Sequence, residues 1–217
     1  MDRLLLKTTA ATGLAVAVTL IGTLALTRLK PTLPMATSAA ATITSAPTTV
    51  AVAATADDGN PQRFNHTAPE LVGGPWLNTQ DGAPVKLGDL HGHVTIVHFW
   101  TFGCINCKHN LPSYNRWQKK FADKGVTIIG VHTPEGSDER ITAHVRSAVA
   151  EHDIAYPILV DKDGTNWNRW GQRCWPAVYL IDKHGNVRYR WEGELEYNGA
   201  NGEARMGALV EELLRER

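Results

Sequence analysis

Two cysteines separated by two residues, Cys104 and Cys107, offer the clearest chemistry in this sequence. They follow an apolar run that reads as a buried strand, so the first thiol is expected at the start of a helix. Free amide groups and the helix dipole stabilise a thiolate there, which can lower a cysteine pKa from about 8.5 to about 3.5–7.5. A thiol one helical turn further on can attack a mixed disulfide. The spacing therefore predicts a redox-active dithiol, with Cys104 as the nucleophile and Cys107 as the resolving thiol.

Two structural cysteines, or half of a zinc site, are the alternative interpretations of this pair. Tetrahedral zinc needs four ligands, however, and the sequence has no second CxxC. Three cysteines are also too few for a disulfide scaffold. With 22 basic and 22 acidic residues, the chain has no net charge that would attract nucleic acid. We therefore expect redox chemistry without a metal or other cofactor, and without a nucleic-acid partner.

Hydrophobic patterning predicts the elements that position the dithiol. Residues 94–100 form an apolar run that is typical of a central strand buried on both faces. Helical spacing over 105–122 and a second apolar run over 126–131 complete a predicted βαβ unit. We expect a small hairpin at 76–87, then a helix at 138–152, a strand at 156–160, a hairpin of 177–181 and 187–191, and a helix at 202–216. This order predicts an α/β sandwich with a central mixed sheet.

The N-terminal third of the chain predicts export. Residues 8–27 contain no charged residue, and about 20 helical residues span a bilayer core. We expect residues 1–30 to form an uncleaved transmembrane anchor; a cleaved signal peptide is the alternative, because basic residues precede the apolar segment. Residues 31–68 are rich in Ala, Thr, Ser and Pro and predict a flexible, disordered linker. The domain expected over 69–217 would then lie outside the cytoplasm, in the bacterial periplasm or at the cell surface.

The region around the dithiol resembles the thioredoxin superfamily. Residues 99–108 (FWTFGCINCK) contain the aromatic pair, the three-residue spacer and the CxxC-Lys of that family, and Pro112 follows the second cysteine by five residues. Residues 175–182 (WPAVYLID) resemble the family segment that carries a cis-proline. The resemblance covers about residue 70 to the end. It is most similar to the exported redoxin branch that includes TlpA-like proteins and the C-terminal domains of DipZ-like proteins.

This resemblance implies a thioredoxin-like three-layer sandwich with a substrate-binding groove beside the dithiol. Pro176 is expected to be cis and to turn a backbone edge toward the cysteines, where a substrate peptide can pair. Trp100 and Trp175 are expected to line the same groove. Trp175 is expected to narrow it, since many family members have a small residue at this position.

Two residues depart from the family pattern. His98 stands where thioredoxins commonly have a buried Asp. Its imidazole could accept the proton of the resolving thiol and titrate nearer neutral pH. The alternative is a core histidine that is hydrogen-bonded to backbone. Cys174 lies two residues before the expected cis-proline. It is interpreted as a small buried hydrophobe, with a regulatory mixed disulfide as the alternative.

The resulting function is an exported, membrane-tethered thiol-disulfide oxidoreductase. Its partners are expected to be protein disulfides or dithiols, and a membrane or soluble electron donor or acceptor. A thiol peroxidase is the first alternative, because Thr101 stands three residues before Cys104 as in peroxiredoxins, although Val97 replaces their proline. A copper-binding thiol module that uses both cysteines and a histidine is the second.

Overall fold

The computed structural model describes residues 60–217, which contain seven strands and four α-helices. The strands are β1 Gln62–Thr67, β2 Trp76–Leu77, β3 Val94–Trp100, β4 Val126–His132, β5 Ile158–Val160, β6 Ala177–Ile181 and β7 Asn186–Glu192. The helices are α1 Ile105–Phe121, α2 Thr142–Glu151, α3 Thr165–Arg169 and α4 Gly202–Arg215. The strands form one sheet in the order β1-β7-β6-β3-β4-β5-β2.

The sheet is mixed, with β3 at its centre. Strands β3, β4 and β5 run parallel to one another, whereas every other neighbouring pair is antiparallel. All seven residues of β3 are buried, as the apolar run predicts. Helices α1, α2 and α4 pack on one face, while α3 and residues 71–90 cover the other. The predicted α/β sandwich with a central mixed sheet is confirmed.

The topology brings three chain segments together at one end of the sheet. β3 ends at Trp100, which pairs with His132 at the end of the parallel strand β4. β6 is antiparallel to β3 and begins there, with Ala177 opposite Phe99. The loops that follow β3 and β4, and the segment that precedes β6, therefore meet at this end.

The predicted hairpin at 76–87 is wrong. Trp76 and Leu77 instead form β2, which pairs antiparallel with Ile158 and Leu159 of β5, and both side chains are buried. The segment that follows makes two short 3₁₀ turns, at Gln80–Gly82 and Leu87–Leu90. Burying Trp76 against a distant strand stabilises this arrangement more than a local hairpin would.

The sheet begins earlier than the sequence predicts. β1 lies within the tract that we expected to be linker up to residue 68, and it pairs with Tyr189 and Arg190 of β7. Phe64 packs against the core, and the Arg190 guanidinium lies 5.2 Å from the centre of its ring. A polar edge strand has little hydrophobic patterning, so backbone pairing with β7 rather than composition determines its structure.

The predictions for residues 1–30 and for most of the 31–68 linker fall outside the described residues. Between residues 60 and 217, no helix is both long and apolar enough to cross a bilayer.

Candidate active site

Cys104 caps the N-terminus of α1. The turn after β3 brings the chain to Cys104, whose backbone is extended (φ −79°, ψ 115°) before the helix begins at Ile105. Its Sγ accepts a hydrogen bond from the backbone N–H of Cys107, at 3.2 Å. Both cysteines are free thiols. The structure therefore places the nucleophilic sulfur at the helix terminus that the sequence predicts.

The two thiols differ sharply in acidity. The hydrogen bond from the Cys107 thiol lowers the pKa of Cys104 to about 7, and the backbone N–H groups of Cys107 and Asn106 act in the same direction. Burial and the Glu135 carboxylate oppose this decrease. Burial raises the pKa of Cys107, whose side chain is fully enclosed. Near neutral pH, Cys104 is the thiolate-forming group and Cys107 remains a thiol, as the attacking and resolving roles require.

The Trp175-Pro176 peptide is cis, as the family resemblance implies. The Pro176 ring is buried, and its carbonyl accepts a hydrogen bond from Gly193 N–H at 2.8 Å. Trp175 is half-buried, stacks on Trp167 at a centroid distance of 4.0 Å, and packs against the same core as Cys104. The segment before β6 thus stands at the dithiol end of the sheet.

Trp100 does not lie in an open groove. Its side chain is fully buried, and its ring lies edge-on to the His132 ring at 5.2 Å. Trp100 closes the core beneath the active-site turn, and this burial gives no support to the expected contact with substrate.

His98 is enclosed by aromatic side chains. Its ring lies 4.2 Å from the Tyr114 ring and 5.5 Å from the Tyr156 ring, and neither ring nitrogen has a hydrogen-bond partner among the described residues. Burial lowers the pKa of His98 to about 3. This burial opposes titration near neutral pH. His98 is a core histidine, but its ring makes no hydrogen bond to backbone among the described residues. Gly130, opposite His98 on β4, leaves room for the imidazole, since a Cβ there would lie 2.9 Å from Nε2.

Sequence reasoning missed Glu139, which lies in the turn between β4 and α2. Its buried carboxylate accepts hydrogen bonds from the backbone N–H groups of Gly103 (2.8 Å), Gly136 (3.0 Å) and Glu135. Although burial opposes ionisation, these amides and the Thr101 hydroxyl lower the pKa of Glu139. One acidic residue in a polar turn gives no sequence signal for a contact 36 residues away.

Thr101 and His132 form a second buried polar contact beneath the dithiol. The Thr101 hydroxyl lies 3.3 Å from His132 Nε2, and Thr101 is fully buried. Burial lowers the pKa of His132 to about 4. The Thr101 hydroxyl is therefore engaged inside the protein and does not face a solvent-borne peroxide.

Cys174 is half-buried and is a free thiol. Burial raises its pKa, and the nearby Glu192 carboxylate acts in the same direction. Cys174 thus lacks the lowered thiol pKa that is typical of a reactive cysteine. Within residues 60–217, no group of three His, Cys, Asp or Glu side chains is placed to hold a metal ion.

A mixed sheet with an N-capping CxxC, a buried second thiol and a cis-proline defines a thioredoxin-like fold with a dithiol site. More narrowly, the chain belongs to the AhpC/TSA family, whose model matches residues 65–190.

Relatives and solved structures agree with this assignment. The chain is 41% identical over 133 residues to the DipZ protein of Mycobacterium tuberculosis, a match that covers 61% of this chain but only 19% of DipZ. It is 33% identical over 128 residues to the thiol-disulfide oxidoreductase YkuV of Bacillus subtilis, covering 58% of this chain and 84% of YkuV. A thioredoxin-like protein solved in its oxidised form superposes with a TM-score of 0.59 at 30% identity, covering 69% of this chain and 95% of that one.

Proposed function

We propose that this chain is an exported, membrane-tethered oxidoreductase that reduces or exchanges disulfides in other proteins, with reduction as its main direction. One observation carries the proposal: a half-exposed Cys104 thiol with a pKa of about 7 stands next to a fully buried Cys107 thiol. A pKa near 7 is typical of reducing dithiols, whereas strongly oxidising ones have values of about 3.5.

The reaction needs only the two thiols and a partner disulfide. The Cys104 thiolate attacks one sulfur of the partner disulfide, which forms a mixed disulfide and releases the first partner thiolate. Cys107 then loses its proton and attacks the Cys104 sulfur, which releases the second partner thiol. Two electrons pass to the partner, and a separate dithiol donor must reduce the new Cys104–Cys107 disulfide.

The surface around the dithiol suits a protein partner. Ile105, directly after the nucleophile, is 61% exposed, and Tyr197 is 64% exposed. A groove of about 740 Å³ lies beside Asn106 and is lined by Gly193 and Tyr197 among others. Exposed apolar side chains next to a groove favour contact with a polypeptide segment. Trp175 and the Pro176 backbone complete the proposed substrate surface.

The tether is proposed from the sequence alone. The uncharged segment 8–27 and the Ala/Thr/Pro-rich residues that follow it support an anchor and a flexible connection to the domain. If the N-terminus of the anchor lies in the cytoplasm, the domain that carries the dithiol lies outside it.

Reduction of insulin by dithiothreitol, measured with the full chain, tests the activity. We expect Cys104→Ser to abolish turnover, and Cys107→Ser to accumulate a mixed disulfide because the resolving thiol is missing. Cys174→Ser is the matched control and should retain activity.

Three outcomes would overturn the proposal. Insulin turnover that survives Cys104→Ser would place the chemistry elsewhere. Consumption of hydrogen peroxide without insulin reduction would favour the peroxidase, and stoichiometric Cu(I) binding without disulfide turnover would favour the copper module.

A further inference from the structure

A buried carboxylate is tied to the loop that carries the nucleophile. Glu139 is 6% exposed, and one of its oxygens accepts the N–H of Gly103, the residue directly before Cys104. The other oxygen accepts the N–H groups of Glu135 and Gly136 in its own turn. The Thr101 hydroxyl also bonds to this carboxylate. Glu139 thus joins the β4–α2 turn to both ends of the Thr101–Gly103 segment.

The Glu139 carboxylate lies so close to Gly103 that it leaves no space for a side chain there. A Cβ at position 103 would overlap a Glu139 oxygen, and φ at Gly103 is not positive, so the backbone itself does not require glycine. The close approach of Glu139 explains the glycine at this position.

Within residues 60–217, no ion pair joins the Glu139 carboxylate to a cation. Its bonds run to amides and a hydroxyl in the described part of the chain. It interacts electrostatically with Cys107 of α1 and with His132 of β4, and His132 is neutral near pH 7 because burial lowers its pKa to about 4. Asp161 acts on His132, and Glu135 acts on Cys104. Acidic groups therefore act on both thiols of the dithiol and on His132.

We propose that Glu139 is a positioning residue that fixes the loop before Cys104 and whose buried negative charge keeps the Cys104–Cys107 dithiol strongly reducing. This inference rests on the proposed reductase function and deepens it. A carboxylate at this site raises the free energy of a thiolate, which exists only in the reduced state. It thereby favours the disulfide form and the donation of electrons to the partner. Glu139 supplies from a turn the negative charge that this chain lacks at His98.

The test compares Glu139→Gln with wild type in the full chain, using redox equilibrium with dithiothreitol and the pH dependence of thiolate absorbance. We expect the ratio of reduced to oxidised protein to rise about tenfold, which makes the potential about 30 mV less negative. The pKa of the hydrogen-bonded Cys104–Cys107 pair should fall. Asp138→Asn is the matched control, because it removes an exposed charge from the same turn, and it should leave both values unchanged.

Two further variants separate charge from simple stability. Glu139→Asp keeps the charge and should hold the reduced-to-oxidised ratio within about threefold of wild type. Gly103→Ala displaces the carboxylate while retaining every charge on the chain, and it should shift the potential in the same direction as Glu139→Gln. If the Glu139→Gln variant does not fold, the potential of the Gly103→Ala variant tests the inference in its place.

The outcomes are distinct. An unchanged or more negative potential in folded Glu139→Gln, or in folded Gly103→Ala when Glu139→Gln does not fold, would overturn the inference. So would an Asp variant that behaves like the Gln variant. If wild type shows no Cys104–Cys107 couple at all, the proposed function fails instead.

Discussion

At the residue scale, the hydrogen bond between the two cysteines determines which sulfur reacts. Cys104 is both half-exposed and acidic, while Cys107 is buried and its pKa is raised. The same structural feature, the first turn of α1, therefore activates one thiol and protects the other. A partner disulfide can meet only the Cys104 sulfur at the surface.

This asymmetry predicts the pH dependence of alkylation in the reduced chain. Because the pKa of Cys104 is lowered to about 7, its thiolate is present above that pH and is lost as the pH falls through it. The rate of reaction with iodoacetamide should therefore fall about fivefold from pH 7 to pH 6. Mass spectrometry should find the label on Cys104 and not on Cys107. A midpoint near pH 9, or equal labelling of both, would contradict the assignment.

At the element scale, a buried amide holds α1 to the loop after β7. Asn110 Nδ2 donates to the carbonyl of Gly193 at 3.0 Å and to the Tyr114 hydroxyl at 3.3 Å, while its Oδ1 accepts the N–H of Leu195 at 2.8 Å. The side chain is 2% exposed, so removing it would leave buried backbone groups without partners.

Asn110→Ala should therefore lower the free energy of unfolding by about 1–3 kcal/mol. Urea denaturation of the reduced chain measures this loss. Lys119→Ala, at an exposed position on the same helix, is the control and should change stability by less than about 0.5 kcal/mol. A loss no larger than that of the control would show that the loop does not depend on Asn110.

Elements and residues differ in how far the sequence predicts them. β3, α1 and the β6–β7 hairpin form as expected, because continuous apolar runs, helical spacing and a turn signature are local signals. Glu139 reaches the dithiol only through a tertiary contact, so no local pattern marks it. The burial of His98 follows from its place in an apolar strand, whereas its lowered pKa depends on Tyr114 and Tyr156, which the fold brings from other elements.

At the scale of the whole molecule, the proposed tether predicts how the protein fractionates. The full chain expressed in a bacterial host should pellet with membranes, resist extraction by carbonate, and be digested by protease added to spheroplasts. Deleting residues 1–30 should leave a soluble chain. Release into the periplasm with a shortened N-terminus would instead indicate a cleaved signal peptide, and protection from protease would overturn the extracytoplasmic location.

The two edges of the sheet have a consequence for association between molecules. β1 carries exposed polar side chains and has an irregular register between Arg63 and His66, while β2 at the opposite edge contains only two residues. Long, flat, apolar edge strands are the ones that recruit strands from other chains and start aggregation. Neither edge offers such a template. In the described sheet, the proposed contact with polypeptides therefore falls to the dithiol end, because neither edge strand is suited to strand addition.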